Sequence, residues 1–169
     1  MKGVRYVEYT YKTDKVALII NHRVFKRFHI HRQLHNQSYE GGGLLLGRTD
    51  INGTTRIYEI TEPMDNDIRE RITFKRRDRR HLSYLAEANN RCLYFKGNWH
   101  THPQEVPNPS WLDGLSWKRA IKNSKPGESD YIFFVIVGIV DVNIWCGNMK
   151  TFEIEKMIQQ FERGEIHEV

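Results

Sequence analysis

The chain has 169 residues, with 26 Lys and Arg against 21 Asp and Glu and a formal net charge of +5. That length suits one domain, residues 1–169, able to bury roughly 70% of its unfolded surface around a single core. The longest apolar run, Ile132 to Val140, is broken by Gly138 and falls short of the ~20 residues of a bilayer-spanning helix. Met1 to Tyr6 lead into charged residues rather than the apolar block of a signal peptide. A soluble, cytoplasmic protein with no membrane partner is expected.

In chain order, Tyr6 to Tyr11 and Val16 to Ile20 read as short strands. Val24, Phe25, Phe28 and Leu34 recur at helical spacing after Asn21, a candidate N-cap. Leu44 to Leu46 and Arg56 to Ile60 read as strands of a hairpin turning at Asn52-Gly53. From Arg69 to Arg80 the positive charge is concentrated, which reads foremost as a solvated loop and helix start. A nucleic-acid or acidic-protein surface is the other reading, but no helix-turn-helix, RNP-like pattern or zinc finger accompanies the charge, which weighs against nucleic acid.

Leu82, Leu85, Ala86 and Cys92 suggest a second helix ending near Asn89-Asn90, and Tyr94 to His100 a third strand region. Ser110 to Ile121 has helical spacing and is closed by the turn chemistry of Lys122 to Gly127. Tyr131 to Val137 and Val142 to Trp145 are the last clear strands. From Lys150 onward Phe152 and Ile154 alternate as a strand would, while Ile154, Met157, Ile158 and Phe161 suit a helix. The whole is α/β, a sheet with three helices. Cys92 and Cys146 belong to no C-x-x-C pair and are expected to be free thiols.

The chemistry lies between Trp99 and Asp113. His100 and His102, at i and i+2 at the end of a strand, project to one face, and Thr101 points away. Ser110 and Asp113 follow a Pro-rich loop and share one face of a helix start. Two imidazoles and a carboxylate make three protein ligands, which for zinc implies a catalytic site with a fourth position open to water. Zinc lowers the pKa of water from 15.7 to about 7, on the order of 12 kcal/mol toward hydroxide.

A base that stays off the metal is still needed, and Glu40 is the candidate. It opens Glu40-Gly41-Gly42-Gly43, whose missing side chains let backbone come close to a site. Ser110 is a candidate donor to the oxyanion. Ser110-x-x-Asp113 alone reads better as a helix cap. His29-Ile30-His31 repeats the H-x-H pattern in a helix-like stretch with no Ser or Asp at the matching distance; it is read, with His22, His35, His81 and His167, as structural or solvent-facing. The joint spacing would arise by chance in fewer than about one chain in a thousand.

With Glu40, His100-Thr101-His102-Pro103, seven further residues, Ser110 and Asp113, the sequence resembles the JAMM (MPN-plus) metalloprotease family, whose pattern is a distant Glu followed by H-[ST]-H-x7-S-x2-D. The resemblance implies a JAMM/MPN-like, cytidine-deaminase-like domain: a curved mixed β-sheet flanked by about three helices. It implies one catalytic zinc ion on His100, His102 and Asp113, with Glu40 as general acid and base and Ser110 on the oxyanion side.

Trp99-His100-Thr101-His102-Pro103 and Phe74 to Asp78 are similar to the prokaryotic JAB group, and more narrowly to the deconjugating peptidases of type II CBASS anti-phage operons. Those act on a cGAS-like nucleotidyltransferase conjugated through its C-terminal tail by an E1-E2 fusion enzyme. Two further functions are weighed: a JAMM peptidase trimming a ubiquitin-like or sulfur-carrier precursor, and a non-catalytic MPN interaction scaffold, which the intact motif disfavours.

Overall fold

In a computed structural model of the chain the described residues are 7–161; Tyr6, at the start of the first expected strand, and His167 lie outside them. In order, the elements are β1 (Glu8–Lys12), β2 (Ala17–Asn21), α1 (His22–Ile30), β3 (Gly42–Thr49), β4 (Thr55–Ile60), β5 (Ile68–Glu70) and β6 (Thr73–Lys75). Then come α2 (Arg80–Asn90), β7 (Tyr94–Thr101), α3 (Trp111–Asn123), β8 (Tyr131–Val137), β9 (Val142–Asn148), β10 (Ile154–Lys156) and β11 (Ile158–Gln160). Nine strands form one sheet in the order β10-β9-β8-β7-β3-β4-β2-β1-β11, and β5 and β6 make a separate hairpin. Within the large sheet β2 with β4 and β7 with β8 run parallel, the other pairs antiparallel.

The sheet curves almost into a closed barrel because its two edge strands are neighbours in sequence. β10 and β11 are separated by Met157 alone, a buried residue whose N–H donates to the Ile144 carbonyl at 2.8 Å. The ambiguous tail is therefore strand on both sides of Met157. Its residues satisfied either period, and the open edges of β9 and β1 decided the outcome by offering ladder partners.

Side-chain alternation explains the apolar run in β8. Phe133, Val135 and Val137 pack with Val24, Phe25 and Phe28 of α1, whereas Ile132, Phe134 and Ile136 pack with Trp117 and Ile121 of α3. A strand covered on both faces has no polar face to alternate with. β3 behaves similarly, sending Leu45 to the α1 side and Leu44 and Leu46 toward Ala88 of α2.

Local expectations hold for the start of α1, whose N-cap Asn21 accepts a hydrogen bond from the Arg23 N–H, and for the hairpin between β3 and β4, where Gly53 takes a positive φ of 82°; Leu34, expected on the buried face of α1, lies beyond its end at Ile30 and is exposed. The face of α2 differs from expectation. Leu82 is 62% exposed and Ala86 is exposed, while His81 and Ala88 are buried. An imidazole takes the core position because both its nitrogens are satisfied, by Thr61 Oγ1 at 2.7 Å and Asp67 Oδ2 at 2.8 Å.

The basic stretch divides: up to Lys75 it lies in the β5–β6 hairpin, which the sequence did not announce, while Arg76 to Arg79 form the expected loop and Arg80 starts α2. Several of its cations turn to protein partners: Arg69 donates to the Glu40 carbonyl, Arg76 to Asn98 Oδ1, and Arg80 to Asp65 and Asp78.

Candidate metal centre

β7 lies between β3 and β8, with His100 opposite Gly42 on one side and Ile136 on the other. The backbone past its end stays pinned, since Thr101 N–H donates to the Gly41 carbonyl at 2.8 Å and His102 N–H to the Val137 carbonyl at 2.9 Å. Extended geometry then sends the fully buried Thr101 one way and both imidazoles the other. Their Nε2 atoms lie 3.0 Å apart.

The carboxylate arrives through a helix cap. Ser110 is the N-cap of α3 and forms a capping box with Asp113. Asp113 Oδ2 accepts from Ser110 N–H at 2.6 Å and from Ser110 Oγ at 2.7 Å, and the Asp113 N–H donates back to Ser110 Oγ at 3.2 Å. In that posture Asp113 Oδ1 sits 3.0 Å from His100 Nε2 and Oδ2 3.3 Å from His102 Nε2. The cap and the site are thus a single geometry rather than competing explanations.

The loop between β7 and α3 is fastened to the turn between β8 and β9. Ile139 N–H donates to Gln104 O at 2.7 Å, Val140 and Asp141 to Glu105 O at 3.0 Å, and Asn143 Nδ2 to Pro107 O at 2.8 Å. Gly138 makes this approach possible, since a Cβ there would lie 2.6 Å from Pro107 and 2.7 Å from the Gln104 and Glu105 carbonyls.

His100, His102 and Asp113 are the one group of three or more His, Cys, Asp or Glu among the described residues able to hold a metal ion, with ligand atoms within 4.8 Å of one another. Ligands about 2.0–2.1 Å from a tetrahedral zinc stand about 3.3 Å apart. The two imidazole nitrogens lie 3.0 Å apart and face different oxygens of Asp113, Oδ1 at 3.0 Å from His100 and Oδ2 at 3.3 Å from His102, so the donor set fits such an ion in number and type and converges on one point. Burial opposes the charges on Asp113 and His102. Even so, hydrogen bonds from His100 and His102 hold the Asp113 carboxyl well below its ordinary range, and the bond to Asp113 raises His102.

Glu40 precedes β3, is 4% exposed, and brings Oε1 to 3.9 Å from His102 Nε2. Burial pushes its carboxyl up to about 7, against the pull of the His102 charge. Its backbone is gripped twice by the β5–β6 hairpin, Glu40 N–H donating to Glu70 O and Arg69 Nε donating to Glu40 O, both at 2.8 Å. Next to it, Gly41 N–H donates to Thr101 Oγ1 at 2.9 Å, and that hydroxyl donates to Gln33 Oε1 at 3.1 Å. The buried Gln33 amide in turn donates to Ser38 O at 3.1 Å and Arg71 O at 2.7 Å. This chain joins the loop of Glu40 to the strand of the histidines.

Gln33, Arg69 and Gly138 escape sequence reading, because nothing in local pattern marks a polar residue whose partners lie tens of residues away. The glycine run plays a different part from the one expected. A Cβ on Gly42 would meet Phe74 at 2.5 Å and the Trp99 carbonyl at 2.6 Å, and one on Gly43 the Thr61 carbonyl at 2.0 Å. These glycines admit neighbouring strands and the hairpin. His29 lies in the last turn of α1 and His31 caps it, packing on Trp99 at 5.5 Å between ring centroids; neither belongs to a metal-ligand group. A cleft of about 660 Å³ opens toward the start of β7, around Tyr94, Lys96 and Lys125, and contains none of the site residues. Cys92 and Cys146 are free thiols.

Comparison with known proteins agrees with this geometry. Residues 22–153 match the family described as prokaryotic homologs of the JAB domain. A CD-NTase/cGAS isopeptidase of Escherichia coli is 32% identical over 143 residues, 83% of this chain and 86% of that protein. One of Vibrio cholerae is 34% identical over 146 residues, 83% and 88% of the two chains. A solution structure of a Desulfitobacterium hafniense protein shares the fold at a TM-score of 0.56, with 18% identity over 83% of this chain and 88% of that one.

Proposed function

The chain belongs to the family of prokaryotic homologs of the JAB domain and is a JAMM-type peptidase, and on that premise we propose that it is a zinc-dependent isopeptidase of CBASS anti-phage defence. Its substrate is a protein conjugated to the C-terminal tail of a cGAS-like nucleotidyltransferase, and it cuts the bond just after that tail. The similarity to the CD-NTase/cGAS isopeptidases of E. coli and V. cholerae supports the substrate class. The convergence of His100, His102 and Asp113 beside Glu40 carries the chemistry.

His100, His102 and Asp113 would hold the zinc ion. When bound, zinc supplies a water whose pKa is near 7 and a Lewis acid for the scissile carbonyl. Glu40, buried and with its carboxyl at about 7, takes a proton from the attacking water and returns it to the departing amine. Ser110 holds Asp113 in its ligand posture through the cap and, by turning its hydroxyl outward, donates to the oxygen that gains negative charge. An E1-E2 fusion enzyme that makes the conjugate is its functional partner, and both act in the cytoplasm. No helix among the described residues is long and apolar enough to cross a membrane.

The test is incubation of a purified nucleotidyltransferase conjugate with the protein. Release is expected, its loss in chelator, and its return on adding zinc. Glu40→Ala should retain stoichiometric zinc and turn over about 10²–10⁴-fold more slowly. An intact conjugate alongside cleavage of a sulfur-carrier precursor would move the substrate assignment to that class.

A further inference from the structure

The helix that carries the Asp113 ligand buries Trp117 and Ile121 but leaves large apolar side chains in solvent at its start. Trp111 is 76% exposed, Leu112 62% and Leu115 42%. At 100° per residue Trp111, Leu115, Lys118 and Lys122 fall on one stripe, flanked by Leu112 and Arg119. The stripe is apolar over the first turns and basic over the last. Lys118, Arg119 and Lys122 are exposed and form no ion pair among the described residues. A lone exposed Leu is ordinary, but a Trp and two Leu grouped beside a reaction centre are not, because such patches cost solubility unless something covers them.

We infer that the outward face of α3 is the docking surface for the folded body of the protein substrate, which meets it with an apolar patch bordered by carboxylates. The inference rests on the isopeptidase reading and names how its substrate is gripped. Continuity comes from the helix itself, since Trp111 and Leu112 lie between Ser110 and Asp113, so anything seated on the first turn abuts the bond to be cut. Charge gives the rest of the match: the only acid in the helix, Asp113, is turned to the histidines, which leaves the outer stripe purely cationic at its far end. The helix runs about 20 Å, enough to engage a folded domain rather than a few residues of tail. A Trp with neighbouring aliphatics is also the composition that dominates binding energy in protein interfaces.

Two substrates separate the surface from the chemistry: the folded conjugate, and a short peptide spanning only the tail and the scissile bond. The variants are Leu115→Ser and the double charge reversal Lys118→Glu/Lys122→Glu, which stand clear of the ligands. Each should lower kcat/KM on the conjugate about tenfold, through KM, and leave peptide turnover and zinc content within twofold of the parent. For the charge reversal the loss should shrink as salt rises. Equal losses on both substrates, or no loss on the conjugate, would overturn the surface. So would a dimer of the parent that Leu115→Ser splits in sedimentation, which would give the face to a second copy of the chain. A zinc-loaded parent that cleaves neither substrate would instead refute the isopeptidase reading.

Discussion

Glu40 sits where its neutral form is favoured. Its carboxyl titrates at about 7 in the folded chain against 4.5 ordinarily, so the folded protein holds a proton between those values that the unfolded chain has released. Stability is therefore lost as pH rises from about 4.5 to about 7, and the penalty is complete above that window. A shift of this size corresponds to about 3 kcal/mol. Glu40→Gln should stabilise the chelated protein by an amount approaching this at pH 8, with the gain vanishing near pH 4, as read by denaturant unfolding at both pH values. Gln33 and Thr101 act on the same residue through backbone. Thr101→Val, which removes the hydroxyl between Gly41 N–H and Gln33, should lower turnover about tenfold at constant zinc content, and Thr101→Ser should restore it. Steady-state kinetics with metal analysis checks both.

At the scale of elements, α3 and its approach loop do two jobs with one set of bonds. The capping box starts the helix and also fixes the carboxylate that faces the histidines. Ser110→Ala should therefore cost about 1 kcal/mol of stability from the cap and weaken zinc binding by about tenfold or more, since partners of metal ligands typically carry that much affinity. Thermal melting of the apo protein and zinc titration against a competing chelator separate these effects. α2 shows where periodicity falls short. The spacing located the helix, but hydropathy chose Leu82 and Ala86 for its buried face because it cannot foresee that Thr61 and Asp67 would satisfy His81.

Over the whole molecule, the segment around Met157 closes the sheet, leaving the edge of β9 and joining the edge of β1. Met157→Ala should cost about 2–5 kcal/mol, the range for large-to-small changes in a core. Faster hydrogen exchange in β10 and β11, with β7 and β8 unchanged, would locate the loss there. The sequence by itself singled out the candidate site residues, because strand alternation and helix spacing are local and mark His100, His102, Ser110 and Asp113 whatever surrounds them. It also determined most strands and all three helices, each marked by its own period, cap or turn. Only the tertiary structure decided whether the tail was strand or helix, what the glycine run admits, and that the first part of the basic stretch is a hairpin gripping the backbone of Glu40. Those outcomes depend on partners far away in the chain, and no local pattern records which hydrogen-bonding edge or carbonyl a residue will find there.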